Sequence, residues 1–254
     1  MCTLALYFRM VESCPIIVAA NRDEHYDRPS APPCLWATVP VILAGKDLLA
    51  CGTWLGVNEH GLVAGILNRR ATSGLDPISP TRSRGLLCLD LLKLKSAAEA
   101  RAFMSRHQEA YQPFTVVVVD PREAWIGYNV PPLIETYRLD QGLHVYSSAS
   151  EIPARSEKAD RAHLQFAQVF GELGAKRRDK PAWVRSLRTV LGDHQLGNGV
   201  ADPREAICVH GEGSGTVSST IIFFDQPEQQ FGIFNCPGTP CRTEFGDALV
   251  LHVR

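Results

Sequence analysis

No stretch of this 254-residue chain approaches the ~18 consecutive apolar residues of a membrane-crossing helix, so no membrane span is expected. Its first apolar run, Leu4 to Phe8, is too short for a secretory core and has no basic residue ahead of it, which points to a cytoplasmic protein. Charge of one sign is lacking as well. With 26 basic and 27 acidic residues there is no global field to attract nucleic acid, and a small-molecule partner is the better expectation. Phosphate-loop and dinucleotide-binding glycine signatures are absent, as are a paired-histidine helix and a G-x-S-x-G elbow. Nor is there a disulfide framework. The eight cysteines, at 2, 14, 34, 51, 88, 208, 236 and 241, are dispersed, and in a reducing compartment most serve as small buried hydrophobes. Only Cys236 and Cys241 stand close, around the turn Pro237-Gly238-Thr239-Pro240. A zinc half-site there lacks a second pair to complete four ligands, so no metal is assigned.

The composition, 45% hydrophobic and 21% charged, is that of a folded globular chain, and its length suits one continuous domain, 1–254. Thr3 to Phe8 and Pro15 to Ala20 read as buried strands able to pair as a hairpin. Prolines 29, 32 and 33 then suggest a surface loop. Gly52 to Asn68 gives two apolar runs around Asn58-Glu59-His60-Gly61, a hairpin signal. Leu87, Leu91 and Leu94 recur at helical spacing, and Ser96 with Glu99 forms the sequence pattern of a capping box opening a second helix. Four short β-rich runs between Phe114 and Ser147 read as an antiparallel meander. Two further helices follow, one with Ala162, Phe166, Val169 and Phe170 on a single face, the other opening near Pro181. Runs at 206–210, 217–224, 231–234 and 248–253 complete a strand-rich ending, with Gly211 to Gly215 as a flexible loop. Strand pairs interrupted by helix pairs imply a layered α+β fold, not a regular parallel βα alternation.

The chemistry concentrates near the start. Removal of Met1 would leave Cys2 as the terminal residue, with an α-amine of reference pKa near ~8 able to accept the proton of its own thiol. Asn21-Arg22-Asp23-Glu24 ends the strand expected beside the one that starts at Cys2. Arg22 is suited to stabilise a thiolate, Asp23 to hold or orient an amine, and Asn21 to donate a hydrogen bond. Taken alone, a second-position cysteine is an ordinary small residue, and the tetrapeptide is a solvated loop with a weak ion pair. Asn68, at the end of a strand, offers the kind of amide that an oxyanion hole uses, or else caps a turn. Trp54 is either a pocket wall or core, and Ser147 and Ser148 offer hydroxyls at a strand end.

Together, Met1-Cys2, "AANRDEHYDRPS" at 19–30, "AGKDLLACGTWLGVNEHG" at 44–61 and "ILN" at 66–68 resemble the NRDE family, also called transport and Golgi organization protein 2. The likeness continues through "SRG" at 83–85, "VYSSA" at 145–149 and "ICVHGEGSGTVSSTIIFFD" at 207–225, covering most of the chain. The resemblance implies an N-terminal-nucleophile (Ntn) hydrolase fold, a four-layer αββα sandwich with two antiparallel sheets between helical layers. It also implies kinship with cysteine amidohydrolases in which Cys2 matches the nucleophile, Arg22 and Asp23 its charged neighbours, and Asn68 the oxyanion donor. Asn21, Glu24, Trp54, Ser147 and Ser148 are then candidate binding residues. Three positions depart from the family pattern: Ser148 stands for an asparagine, Val217 for an arginine, and Cys51 for a glycine. The implied activity is an amidohydrolase or acyl transferase acting on a linear amide or thioester. The alternative is a carrier of haem or acyl-lipid, with histidines 25, 60 and 210 near the motifs, and a trafficking factor ranks third.

Overall fold

The computed structural model describes residues 2–69, 82–107, 109–130, 133–148, 156–174, 179–197 and 199–254. Met1, Arg70, the Pro131-Pro132 turn, Ala149 and Arg177-Arg178 lie outside them. The chain separates into two compact units, each with its own antiparallel sheet and its own pair of helices. Among the described residues, no helix is long and apolar enough to cross a membrane.

The first unit is built on a six-stranded sheet. Its strands are β1 (Thr3–Phe8), β2 (Ile16–His25), β10 (Gly142–Ser147), β11 (Ser214–Asp225), β12 (Gln230–Cys236) and β13 (Leu249–His252), in the order β10-β1-β2-β11-β12-β13. The expected hairpin is present, with β1 antiparallel to β2 from Thr3↔Asn21 to Phe8↔Ile16. Every position of β1 is buried, which is why its sequence is a continuous apolar run and not an alternation. Helices α3 (Glu157–Leu173) and α4 (Lys180–Leu191) belong to this unit. α3 is capped by Ser156, and α4 by Asp179 with Pro181 in its first turn, where a missing N–H costs nothing. Phe166, Trp183 and Leu187 from these helices form one buried core with Tyr7 of β1 and Phe223 of β11. Tyr7 donates its hydroxyl to the Phe166 carbonyl at 2.7 Å, so that buried hydroxyl is satisfied.

The second unit holds a seven-stranded sheet in strict chain order, β3 (Ser30–Trp36), β4 (Ile42–Asp47), β5 (Leu55–Asn58), β6 (Val63–Asn68), β7 (Phe114–Val119), β8 (Ala124–Val130) and β9 (Leu133–Leu139). Two expectations are corrected here. The proline-rich stretch is an edge strand, not a loop: an edge needs only one ladder, and the register slips between Ala31 and Cys34, around Pro32 and Pro33. The meander stops at β9, because β10 pairs with β1 in the other sheet. A third correction falls in the first unit, where 206–210 makes only the isolated bridge His210↔Gly215, and Gly211 to Gly215 is a tight return that already starts β11.

α1 (Arg84–Leu92) and α2 (Ala97–Arg106) complete the second unit. Ser96 caps α2 by accepting from the Glu99 N–H at 3.2 Å, as the capping pattern predicts. The carboxylate of Glu99, however, takes the N–H of Lys95 instead of that of Ser96. Gly52 is required for α1 to dock, since a Cβ there would sit 2.3 Å from the Gly85 carbonyl carbon. Asn58 is fully buried and ties four backbone groups: its amide donates to the carbonyls of Leu92 and Leu94 at 2.8 and 2.7 Å, and its oxygen accepts from His60 and Leu62 N–H at 3.0 Å each. It therefore satisfies carbonyls that α1 leaves open at its C-terminus while closing the β5–β6 hairpin. Asn58→Ala is expected to lower unfolding stability by about 3 kcal/mol, from several buried groups left unpaired. Denaturant titration of the two proteins measures the difference.

Candidate active site

The β1–β2 register decides where the thiol lies. With Thr3 opposite Asn21, the residue before Thr3 falls against the NRDE segment, and the Cys2 thiol donates to the Asp23 main-chain carbonyl, 3.8 Å from sulfur to oxygen. Cys2 is half-buried. Burial pushes its pKa up and the Asp23 carboxylate adds to the rise, while the chain's terminal ammonium, the hydrogen bond to the Asp23 carbonyl and the Arg22 guanidinium oppose it.

Alternation along β2 divides the motif. Arg22 and Glu24 share one face, their charged groups 3.9 Å apart, with the Arg22 side chain only 5% exposed. Asn21 and Asp23 share the other. The Asn21 amide donates to the carbonyls of Leu191 and Ile207 at 2.8 and 2.9 Å, while its oxygen accepts from the Ser219 hydroxyl. This amide is the counterpart of Asn58, taking up the last carbonyl of α4 and anchoring the 206–210 segment. Its hydrogen-bonding capacity is thereby committed to the fold.

The Asp23 carboxylate accepts from the Thr216 hydroxyl at 2.6 Å and faces the Lys158 ammonium at 3.6 Å, with both charged side chains 1% exposed. Thr216 in turn accepts from the Val209 N–H at 2.9 Å. A buried carboxylate of this kind persists only with a cation and hydrogen bonds around it. Lys158 was not among the residues the sequence singled out. Its signal was nonetheless present, since it precedes Ala162 by four residues and Phe166 by eight, on the stripe that α3 turns to the core. A lysine on an apolar stripe calls for a buried partner.

The other candidate residues distribute as follows. Ser147 pairs with Thr3 across β1–β10, and its hydroxyl shares a hydrogen bond with Ser156, the cap of α3. Ser148 follows it and is buried. Val217 is the extra residue of a bulge between Thr216 and Ser218 of β11. Asn68 ends β6 in the second unit, opposite Phe114 of β7. Trp54, in the same unit, packs over Gly45, where an added Cβ would lie 2.6 Å from its ring. It fills space beside the core of α1 and α2.

This arrangement of sheets and helices is the Ntn-hydrolase-like fold. Solved structures with the same fold include an N-acylethanolamine-hydrolyzing acid amidase ortholog from Caenorhabditis elegans, with TM-score 0.56 and 16% identity over 87% of this chain and 92% of that one. A penicillin V acylase from Agrobacterium tumefaciens follows, with TM-score 0.55 and 12% identity over 99% of each chain. A conjugated bile acid hydrolase from Clostridium perfringens has TM-score 0.55 and 9% identity over 100% of this chain and 98% of that one. The family model described as "Transport and Golgi organisation 2" matches residues 1–233, and the chain belongs to that family. Homologs from Homo sapiens and Bos taurus are 43% and 39% identical over 240 residues, covering 83% of this chain and 82% of each relative.

Two outcomes follow from the geometry. Lys158→Met leaves a buried carboxylate short of its cation and is expected to cost about 3–5 kcal/mol, less than additively with Asp23→Asn, as measured by denaturant unfolding in a double-mutant cycle. Because burial raises the Cys2 pKa, iodoacetamide labelling of Cys2 is expected to stay slow at neutral pH and to accelerate only above the ordinary thiol range near ~8.5. Peptide mapping across a pH series reads this directly.

Proposed function

We propose that this protein is a cysteine N-terminal-nucleophile amidohydrolase or acyl transferase acting on a linear amide or thioester, with Cys2 as nucleophile once Met1 is removed. The observation that carries the reading is the placement of the Cys2 thiol against Arg22 and Asp23 at the end of β2, on an Ntn-hydrolase-like sheet. The setting is cytoplasmic, where methionine aminopeptidase removes a methionine that precedes a small residue.

Burial works against the thiolate, so attack needs a base, and the liberated α-amine of Cys2 is in place by covalent connection. It takes the thiol proton as the sulfur–carbon bond forms and the carbonyl electrons move to oxygen. Collapse of that adduct returns the proton to the departing amine or thiol and leaves a thioester on Cys2. Water then releases the acid, or a second amine or thiol accepts the acyl group. Arg22 favours the thiolate by charge, and the Asp23 carbonyl fixes the direction of the S–H bond. Lys158 and Thr216 hold Asp23 and so position the strand end.

The same scaffold as a non-catalytic carrier of an acyl-lipid or haem is the second reading, favoured by the burial around Cys2, which raises its pKa and works against thiolate formation. A single series separates the two. Intact-mass analysis is expected to show loss of Met1, an electrophilic amide or lactone probe to form an adduct at Cys2, and Cys2→Ala to reduce turnover of acyl-amide and thioester substrates to background. Retained Met1, or turnover unchanged in Cys2→Ala, would sink the enzyme. Equal acyl-lipid or haem binding by wild type and Cys2→Ala, with no turnover by either, selects the carrier.

A further inference from the structure

One cluster of metal-ligating side chains stands apart from Cys2. His194 follows α4, Cys208 and His210 lie in the segment ahead of β11, and Cys241 lies in the turn after β12. One ligand atom from each lies within 4.8 Å of the other three. The three separations among Cys208, Cys241 and His210 match the edges of a tetrahedron, and His194 completes the group within the 4.8 Å spread. Zinc held at about 2.3 Å from sulfur and about 2.05 Å from nitrogen spaces its ligands about 3.8 Å from S to S and about 3.5 Å from S to N. The Cys208 and Cys241 sulfurs are 3.8 Å apart, and His210 Nε2 is 3.8 and 3.4 Å from them. We propose that His194, Cys208, His210 and Cys241 form a structural site for a tetrahedral divalent ion of the zinc type.

The chemistry of the donors agrees. Two thiolates and two neutral imidazoles neutralise a divalent ion, so the Arg242 charge that acts on His210 meets no excess positive charge there. His194 Nδ1 lies 3.1 Å from the Cys208 carbonyl, and donation to it leaves the other ring nitrogen with its lone pair. Histidines that ligate metals are oriented in this way. Four protein ligands with no open position describe a closed, structural centre and not a Lewis-acid catalyst. Cys236, the sequence neighbour that made Cys241 look like half of a pair, is not a member: its thiol donates to the Gly238 and Thr243 carbonyls.

The site also accounts for a stretch that has no ladder of its own. Residues 206–209 are buried, yet they form no strand. Cys208 N–H goes to the Asp193 carbonyl, Val209 N–H to the Thr216 hydroxyl, the Ile207 carbonyl to Asn21 and the Val209 carbonyl to Thr216 N–H. An ion on Cys208 and His210 would clamp the C-terminal half of this stretch on either side of Val209, and with it Thr216 and Asp23.

Full-length protein purified under reducing conditions with zinc present is the sample. Expected are about one zinc per chain by mass spectrometry, cobalt(II) substitution giving the visible bands of a tetrahedral thiolate site, and both signals lost in C208S/C241S but kept in C34S/C51S, whose thiols are exposed. A readout on unaltered protein guards against a variant that fails to fold. Zinc should slow alkylation of Cys241 at least tenfold, and a chelator should restore it while Cys34 labels equally in both. Protein without bound metal under these conditions, Cys241 alkylation indifferent to zinc, or a Cys208–Cys241 disulfide seen as a mass two hydrogens lighter would overturn the proposal.

Discussion

The arrangement around Cys2 depends on the register of three strands. β2 is held on one side by β1, with Thr3 opposite Asn21, and on the other by β11, with Ser219 opposite Asn21 and Thr216 opposite Asp23. Because side chains alternate faces, a slip of one residue in either pairing would turn Asp23 away from Thr216 and Lys158 and carry the Cys2 thiol away from the Asp23 carbonyl. The buried apolar run of β1 enforces its register, since all six of its residues are covered. On β11 the bulge at Val217 changes the count by one, and this lets Thr216 and Ser219 both meet partners on the same face of β2.

Polar side chains inside the protein serve mainly to finish backbone that secondary structure leaves open. Asn21 and Asn58 solve the same problem in different units. Each projects from a strand, Asn21 from within β2 and Asn58 from the end of β5, and donates to the final carbonyl of a helix, Leu191 of α4 or Leu92 of α1. Such carbonyls have no partner within their own helix, and an asparagine amide with two donors and an acceptor reaches groups that water does not. The Asp23–Lys158 pair is costlier to bury and contributes differently. Coulombic gain and desolvation roughly offset one another in such pairs, so its consequence is to exclude arrangements that separate the two charges.

The 206–210 segment connects these features. It carries two residues of the four-ligand cluster, the carbonyl that receives Asn21, and the N–H that binds Thr216, itself the donor to Asp23. The sequence suggested a strand there because burial alone produces a short apolar run. What distinguishes it from a strand is where its backbone bonds go: to three separate segments, at positions 21, 193 and 216, and not to one neighbouring strand.

Much of the architecture was legible from residue order. Short apolar runs, the Ser96 capping pattern, Pro181 in a first turn and the hairpin signal at 58–61 each report a local physical preference, and the motif from Cys2 to Asn68 pointed to the fold and the family. Proline at 32 and 33 misled, since its effect on a strand depends on whether the strand lies at an edge. β10 left its meander because strand partners are chosen by the sheet. The residues around the motif were hidden for the same reason: Lys158 and Thr216 are distant in sequence from Asp23, and His194, Cys208, His210 and Cys241 have no motif spacing. Local sequence determines which segments form helices and strands and which residue types can do chemistry. Only the tertiary structure decides which buried charge finds its counterion and which dispersed ligands converge, because these depend on contacts between segments that chain order does not encode.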